Sequence, residues 1–172
     1  INPFLISSKI STSSNPVNPV PSKMHSLIQE IASSKAFTFT TTPLPTPNHD
    51  HAQGEHLIQI KACSPYTGEL LWPKDFPPSK AHTLIPCLDM AEIVPHAPED
   101  SPFQPGDEMY ARTNYIRPGN AREHSMAVTD QLAPEPKGRS WVQAAAVPVS
   151  AQTAWQGLFS FMLLLAREME RR

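Results

Sequence analysis

Two adjacent carboxylates, Asp107 and Glu108, lie in the segment FQPGDEMYARTNY at residues 103–115. A close pair of carboxyl groups can divide the roles of general acid and general base when their environments separate the two pKa values. Here Pro105 and Gly106 indicate a turn, and the residues after them favour a strand. Neighbouring side chains of a strand point to opposite faces. We therefore expect both acids to be structural.

Thiols and imidazoles are too few and too scattered to indicate a metal centre. The chain has two cysteines, Cys63 and Cys87, without a CxxC pair, and seven histidines without the spacing of metal ligands. This pattern excludes a disulfide scaffold and a four-cysteine zinc lobe, and it is typical of a reducing compartment, so we expect a cytoplasmic location. Buried structural thiols are the simpler interpretation, and a metal-binding cysteine pair is the alternative.

Composition predicts one loop-rich domain with tails. The chain has 172 residues, of which 40% are hydrophobic and 17% charged, with a formal net charge of −2. No basic stripe is present, so we expect no nucleic-acid partner. The 20 prolines against 6 glycines break helices and favour short strands.

Short apolar runs separated by proline and glycine turns predict a β-barrel or sandwich. The segments MHSLIQEI and AFTFTTTPL (24–31 and 36–44) suggest a hairpin, and HLIQIKAC (56–63) alternates like a half-buried strand. Further strands are expected at residues 87–94, 107–113, 121–128 and 130–136.

The two ends of the chain differ from this pattern. Residues 1–23 are Ser-rich and are expected to be disordered, which makes Met24 a sensible first residue. After Ser140, a candidate N-cap, the sequence predicts two helices divided at Pro148. The longest apolar stretch, GLFSFMLLLA (157–166), is too short to cross a bilayer, so we expect no membrane partner.

Four segments in order resemble the N-terminal, GroES-like domain of medium-chain dehydrogenases/reductases. They are GEHLIQIKACSPYTGELLWP, LIPCLDMAEIV, FQPGDEMYART and LAPEPKGRSWVQAAAVPVSAQTAWQGLF, and the resemblance covers roughly residues 24–159. The nearest likeness is to the zinc-free quinone and enoyl reductase branch. The resemblance implies a mainly β fold with flanking helices: a partly open GroES-like barrel at 24–148 and a C-terminal helix at 149–172.

In that family a Rossmann domain holds NADPH for hydride transfer to an activated carbonyl or alkene. The GxGxxG fingerprint of such a domain is absent from these 172 residues. The resemblance therefore implies an NADPH-dependent reductase with a small-molecule substrate, in a truncated form. The alternative is an inactive barrel that acts through protein association, and a homo-oligomer is left open.

Zinc-dependent relatives carry a Cys and a His at two positions that Tyr66 and Leu88 occupy here. Neither side chain supplies the thiolate or imidazole that catalytic zinc prefers. We therefore expect no zinc.

The resemblance also supplies candidate site residues. Tyr66 occupies a loop beside the nicotinamide, where a phenol can polarise a substrate carbonyl, so it is the catalytic and cofactor-binding candidate, with a packed loop aromatic as the alternative. Thr153 matches a helix position that can bind the nicotinamide carboxamide, with a surface or capping role as the alternative. Thr67, Asn114 and Tyr115 are expected to line the substrate cleft.

Some positions depart from the family pattern or have a simpler structural role. In the segment that the family writes Pro-Gly-x-Asp/Glu-x-x-Gly, Cys87 and Glu92 replace the glycines and Asp89 is retained. Glycine in such segments permits a positive φ or a close backbone approach, and an unpaired buried Glu92 would cost several kcal/mol. Glu69 is expected to cap a helix. Trp155 and Phe159, four residues apart, are expected to make core contacts.

Overall fold

The computed structural model describes residues 21–32, 34–48, 54–66, 68–77 and 83–171. Residues 1–20 of the extension expected to be disordered lie outside this range, as does Thr67. The side chain of Met24 is buried in the first strand.

The predicted strands form two antiparallel sheets. The expected hairpin is confirmed by β1 and β2, which pair from Lys23↔Pro43 to Ile28↔Thr38. The second sheet has five strands in the order β6-β3-β4-β5-β7. The strands are β1 (Lys23–Ile28), β2 (Thr38–Pro43), β3 (Glu55–Ser64), β4 (Asp89–His96), β5 (Glu108–Arg112), β6 (His124–Val128) and β7 (Leu132–Pro134).

The hairpin closes over one end of the larger sheet. Ser26 bridges to Arg122, and the Leu27 N–H donates to the Ala121 carbonyl at 2.9 Å. The Glu123 N–H donates in turn to the His25 carbonyl at 3.1 Å. The result is the partly open, mainly β barrel that the resemblance implied.

The main apolar cluster is formed by strands of the larger sheet, and β3 is more deeply buried than its alternation predicts. His56, Leu57 and Ile58 are all buried, because loops cover the outer face of the strand as well. His56 Nε2 lies 2.6 Å from Ser101 Oγ, and its ring packs against Phe103. The main cluster comprises Ile58, Met90, Val94, Met109, Ala111, Ala127 and Leu132.

Glu92 lies within this core. It pairs across the sheet with Ile60 and Met109, and its side chain is fully buried. Among the described residues, neither carboxyl oxygen has a hydrogen-bond partner. Burial, reinforced by the nearby Glu135 carboxylate, raises the pKa of Glu92 well above its usual value. The costly arrangement considered in the sequence analysis, an unpaired buried acid, is thus present, and burial favours its neutral form.

The C-terminal part begins as predicted. Ser140 caps α2 (Trp141–Ala145): its hydroxyl accepts from the Gln143 N–H at 3.4 Å, and the Gln143 side chain accepts from the Ser140 N–H at 3.1 Å. Ala144 and Ala145 pack on Ala91 of β4. Pro148 then starts α3 (Pro148–Trp155), which continues through a π-helical turn (Gln156–Ser160) into α4 (Phe161–Glu170).

One expectation about this last helix is wrong. Trp155 and Phe159 stack on each other at 4.2 Å between ring centroids, but they are 64% and 48% exposed and do not contribute to the core. Their spacing along the helix predicts that the two rings contact each other, but it does not predict which surface covers them. By length and composition, Pro148–Met169 is also the one described helix that could span a bilayer. Core helices of soluble proteins meet the same criterion, so the expectation of no membrane partner stays a prediction.

Glu92→Gln should remove part of the pH dependence of folding stability. Because the folded pKa lies above the unfolded value of about 4.3, the folded chain binds an extra proton. The stability associated with Glu92 is fully present below about pH 4 and is lost, by about 1.4 kcal/mol per pH unit, as pH rises toward the folded pKa. The variant stays neutral throughout, so the difference in unfolding free energy between it and the wild type should change with pH in urea titrations.

The matched control is Glu30→Gln, which changes an exposed acid in the connection after β1. Its unfolding free energy should run parallel to that of the wild type. A Glu92→Gln curve that is also parallel to the wild type would contradict a neutral Glu92.

Candidate functional site

The loop that carries Tyr66 is held by a buried carboxylate. Glu69 is 5% exposed, and its Oε2 accepts from the Tyr66 N–H at 2.9 Å. The backbone N–H groups of Cys87 and Leu88 also donate to this carboxylate. Burial raises the pKa of Glu69, and these three N–H donors act in the opposite direction. Glu69 therefore joins the loop to the segment before β4, which is a larger role than the helix cap expected for it.

Three aromatic rings form a row on the surface beside this loop. Trp72, in α1 (Trp72–Asp75), lies 5.6 Å between ring centroids from Tyr66 and 5.6 Å from Tyr115, and it meets Tyr115 edge to face. We call Tyr66, Trp72 and Tyr115 the aromatic row. The structure thus brings together two of the predicted site residues through a third, Trp72, that the sequence did not indicate.

The members of the row differ in their hydrogen bonds. The Tyr115 hydroxyl donates to the Phe76 carbonyl at 3.0 Å. Burial, and then the Glu69 carboxylate, raise the pKa of Tyr115. The Tyr66 ring is 40% exposed, and no described residue hydrogen-bonds its hydroxyl. Tyr66 therefore presents a donor to solvent, whereas the hydroxyl of Tyr115 is engaged.

A shallow groove runs beside the row, and its cavity volume is about 20 Å³. Tyr115 belongs to both features, and Glu69, which accepts from the Tyr66 N–H, also lines the groove. Arg117, on one wall, forms an ion pair of 2.7 Å with Glu55. Asn114, exposed next to Tyr115, uses its side-chain oxygen to accept from the Ile116 N–H at 3.2 Å. The other lining residues are mostly apolar: Gln29, Leu70, Pro73, Leu84, Ile85, Pro86 and Leu88.

The position where Cys87 replaces a glycine lies between Pro86 and Leu88, two residues that line this groove. Cys87 has φ +73°, the only described residue other than glycine with a positive φ. The inference that the family glycine permits a positive φ is thus confirmed, and the cysteine retains that backbone at a cost of roughly 1–3 kcal/mol. The backbone at Gly119 packs tightly against the residues before Cys87. A β-carbon at Gly119 would collide with the carbonyl oxygens of Ile85 and Pro86.

Asp89 connects the sheet to the helix that carries Thr153. Its carboxylate oxygens lie 3.1 and 3.0 Å from the Val149 N–H, in the first turn of α3. Burial raises the pKa of Asp89 to about 6, against the opposing effects of this N–H and of Arg112. Thr153 is exposed one turn further along α3, and no contact among the described residues joins it to the aromatic row.

The residues at the two zinc-ligand positions do not form a metal site. Leu88 is buried, Tyr66 is an exposed phenol, and the part of the chain that the structure describes contains no group of three His, Cys, Asp or Glu side chains placed to hold a metal ion. This donor set does not fit catalytic zinc. The expectation of a zinc-free chain stays a prediction.

Sequence reasoning missed several residues that shape the site. Asn120 is fully buried, and its amide donates to the Leu88 carbonyl at 2.8 Å and to Thr113 Oγ1 at 2.9 Å, while Ser125 Oγ donates to its side-chain oxygen at 2.7 Å. The Pro-Gly-Asn turn at residues 118–120 was the available signal, because a turn asparagine commonly hydrogen-bonds nearby backbone. No local signal pairs Trp72 with Tyr115.

Comparison with known proteins identifies a relative of known name. No family model matches the chain. A relative from Arthroderma benhamiae named "Probable zinc-binding oxidoreductase, mitochondrial" is 44% identical over 143 residues. The match covers 83% of this chain and 42% of the relative, so the chain spans less than half of that protein's length.

Solved structures share the fold at lower identity. An alcohol dehydrogenase superfamily protein from Novosphingobium aromaticivorans has a TM-score of 0.68 at 24% identity, over 80% of this chain and 42% of that one. The quinone oxidoreductase of Coxiella burnetii gives 0.66 at 19%, over 79% and 44%. A mycobacterial protein complexed with NADPH gives 0.65 at 19%, over 80% and 42%.

Glu69→Ala should loosen the Tyr66 loop and destabilise the chain. The substitution leaves three backbone N–H groups without their acceptor, so we expect the unfolding free energy to fall by roughly 3 kcal/mol in urea titrations. Asp75→Ala, which removes an exposed acid of α1, is the control and should change the stability by less than about 0.5 kcal/mol. Equal effects of the two substitutions would show that Glu69 does not hold the loop.

Proposed function

Because the chain belongs to the medium-chain dehydrogenase/reductase family, we propose that its GroES-like barrel forms the substrate side of an oxidoreductase of the quinone or enoyl reductase kind. The observation that carries this proposal is the aromatic row beside the groove. It supplies flat apolar surfaces and one phenol whose hydroxyl no described residue engages. A small molecule with a conjugated carbonyl matches such a surface.

Tyr66 is the proposed catalytic residue. Its hydroxyl would donate a hydrogen bond to the substrate carbonyl oxygen, where negative charge develops as hydride reaches the carbonyl carbon or the conjugated alkene. Glu69 fixes the position of this loop through the Tyr66 N–H without contacting the substrate. The proposed substrate-cleft residues are Asn114, Tyr115 and Thr67, of which Thr67 lies outside the described residues.

NADPH is the proposed cofactor, and it would supply the hydride. In this chain Tyr66 and Thr153 are the residues proposed to contact the nicotinamide end, and both are exposed. No GxGxxG sequence is present in these 172 residues to bind the pyrophosphate. Most of the contacts to NADPH would therefore have to come from residues outside this sequence. A cytoplasmic location is part of the proposal, although the relative from Arthroderma benhamiae carries "mitochondrial" in its name.

A second function is favoured by the exposed last helix. Trp155, Leu158, Phe159, Phe161 and Leu164 are each 48% to 67% exposed, and such apolar surface favours association. In this alternative the chain is a barrel without catalytic activity that acts through protein contacts, including contacts between copies of itself.

Titration of NADPH into the purified chain distinguishes the two functions. The reductase proposal expects saturable enhancement of nicotinamide fluorescence, and oxidation of NADPH when an enone or a quinone is added. The same titration should be run on any longer polypeptide that the gene encodes. If binding is not saturable at millimolar cofactor, this polypeptide is not itself a reductase, and a concentration-dependent oligomer in sedimentation would then support association.

Tyr66→Phe tests the catalytic role in whichever polypeptide is active. The variant keeps the ring against Trp72 and removes only the hydroxyl donor, so kcat should fall by about a hundredfold with little change in KM. Tyr110→Phe is the control, because Tyr110 packs against the alanine cluster under α2. Wild-type kcat in Tyr66→Phe would exclude the phenol from the reaction.

A further inference from the structure

Cys63 and Cys87 meet beneath the Tyr66 loop. Cys63 lies near the end of β3, and Cys87 precedes β4 by two residues. Cys87 belongs to a buried apolar cluster with Ile85 and Ala121, and Cys63 packs against that cluster. Each thiol acts on the pKa of the other, which places the two side chains next to each other within this packing. The sequence interpretation of two separate structural thiols missed this contact, because the two positions are far apart in the chain.

The two thiols have different environments. Cys63 is half-buried, whereas Cys87 is 5% exposed. The hydrogen bond from Cys87 lowers the pKa of Cys63, while burial of that thiol and the Glu69 carboxylate act in the opposite direction. The same hydrogen bond, with burial, raises the pKa of Cys87. The more accessible thiol, Cys63, is therefore the one whose pKa is lowered, and the shielded thiol, Cys87, is the one whose pKa is raised.

We propose that Cys63 and Cys87 are a redox-active pair that forms a reversible disulfide on reaction with a hydroperoxide, with Cys63 as the attacking sulfur and Cys87 as the resolving one. The geometry supports this because a thiol–thiol contact leaves a short approach to an S–S bond of about 2.05 Å. Neither cysteine belongs to the proposed catalytic set, so the inference is independent of the reductase proposal.

The reaction balances in two steps. The Cys63 thiolate attacks one peroxide oxygen, the O–O bond breaks, and the alkoxide that leaves takes up a proton to become the alcohol, with Cys63 oxidised to sulfenic acid. The Cys87 sulfur then attacks the Cys63 sulfur and loses its proton, and the departing hydroxide leaves as water. In sum, two thiols and one hydroperoxide give one disulfide, one alcohol and one water, and the peroxide accepts the two electrons.

The disulfide would cross-link the two chain segments that hold the candidate site. Cys63 precedes Tyr66 by three residues, and the Cys87 N–H donates to Glu69, which in turn binds the Tyr66 N–H. The left-handed backbone at Cys87 is part of the same segment. Oxidation would therefore act on the position of the Tyr66 loop.

Peroxide treatment of the wild-type chain tests the pair. After tert-butyl hydroperoxide under native conditions, the intact mass should fall by two hydrogen atoms, both thiols should resist alkylation, and dithiothreitol should restore them. Because the chain has only these two cysteines, an intramolecular disulfide can join no others. Disulfide formation should be at least about tenfold faster in the native chain than in urea, because the fold holds the thiols together. Equal rates, disulfide-linked dimers alone, or sulfinic acid on one cysteine would overturn the proposal.

Two variants test the order of attack. In Cys87→Ala, peroxide should leave Cys63 as a sulfenic acid that dimedone traps, and in Cys63→Ala the Cys87 thiol should persist through the same exposure. Trapping at Cys87 with Cys63 unreactive would reverse the assignment and overturn it. Circular dichroism checks that each variant is folded, and the native-against-urea comparison of the wild type decides the pairing without either variant.

Discussion

Each backbone carbonyl in the segment from Leu84 to Leu88 accepts a hydrogen bond, and the candidate site depends on this segment. Its oxygens accept in turn from the backbone N–H groups of Gln29, Gly119, Ala121, Asn120 and Thr113. The Asn120 side chain adds a second bond to the Leu88 carbonyl. A buried carbonyl without a hydrogen-bond partner costs free energy. These hydrogen bonds therefore fix the path of the segment between the hairpin and the larger sheet. The collision that any β-carbon at Gly119 would cause shows how little space separates the two backbones.

The candidate site is built on the N–H side of the same segment. The Cys87 and Leu88 N–H groups donate to Glu69, and Glu69 accepts from the Tyr66 N–H as well. The Glu69 carboxylate thus joins this segment to the loop that carries Tyr66 and Trp72 and holds the loop in place. Cys87 in this segment has a positive φ, and its carbonyl accepts from the Asn120 N–H at 2.7 Å. A glycine would adopt this conformation without strain, whereas the cysteine is held in it by hydrogen bonds on both sides.

Local patterns were sufficient for the strands, the hairpin, the Ser140 cap and the helix start at Pro148, because each depends on residues close together in sequence. The turn role of Asp107 belongs to the same class: its carboxylate accepts from the Gln104 N–H at 2.8 Å. The aromatic row could not be predicted, since Trp72 and Tyr115 are separated by most of the barrel and meet only through its closure. The same limit applies to the contact between the two thiols. Trp155 and Phe159 show the converse error, because helical spacing identifies a shared face and says nothing about what covers it.

Three buried carboxyl groups have raised pKa values, and their partners distinguish them. Glu69 and Asp89 each accept backbone N–H groups, the first from the site loop and the segment before β4, the second from the first turn of α3. For these two, desolvation is opposed by hydrogen bonds that favour the charged form, and each acid serves to connect two elements. Glu92 has no such donor among the described residues, and the nearby Glu135 carboxylate raises its pKa further. A neutral carboxyl in that place connects nothing, and nothing in the structure explains its presence. The departures from the family glycines therefore have unequal consequences: at Cys87 the fold keeps the backbone and gains a thiol contact, whereas at Glu92 it retains a buried acid without compensation.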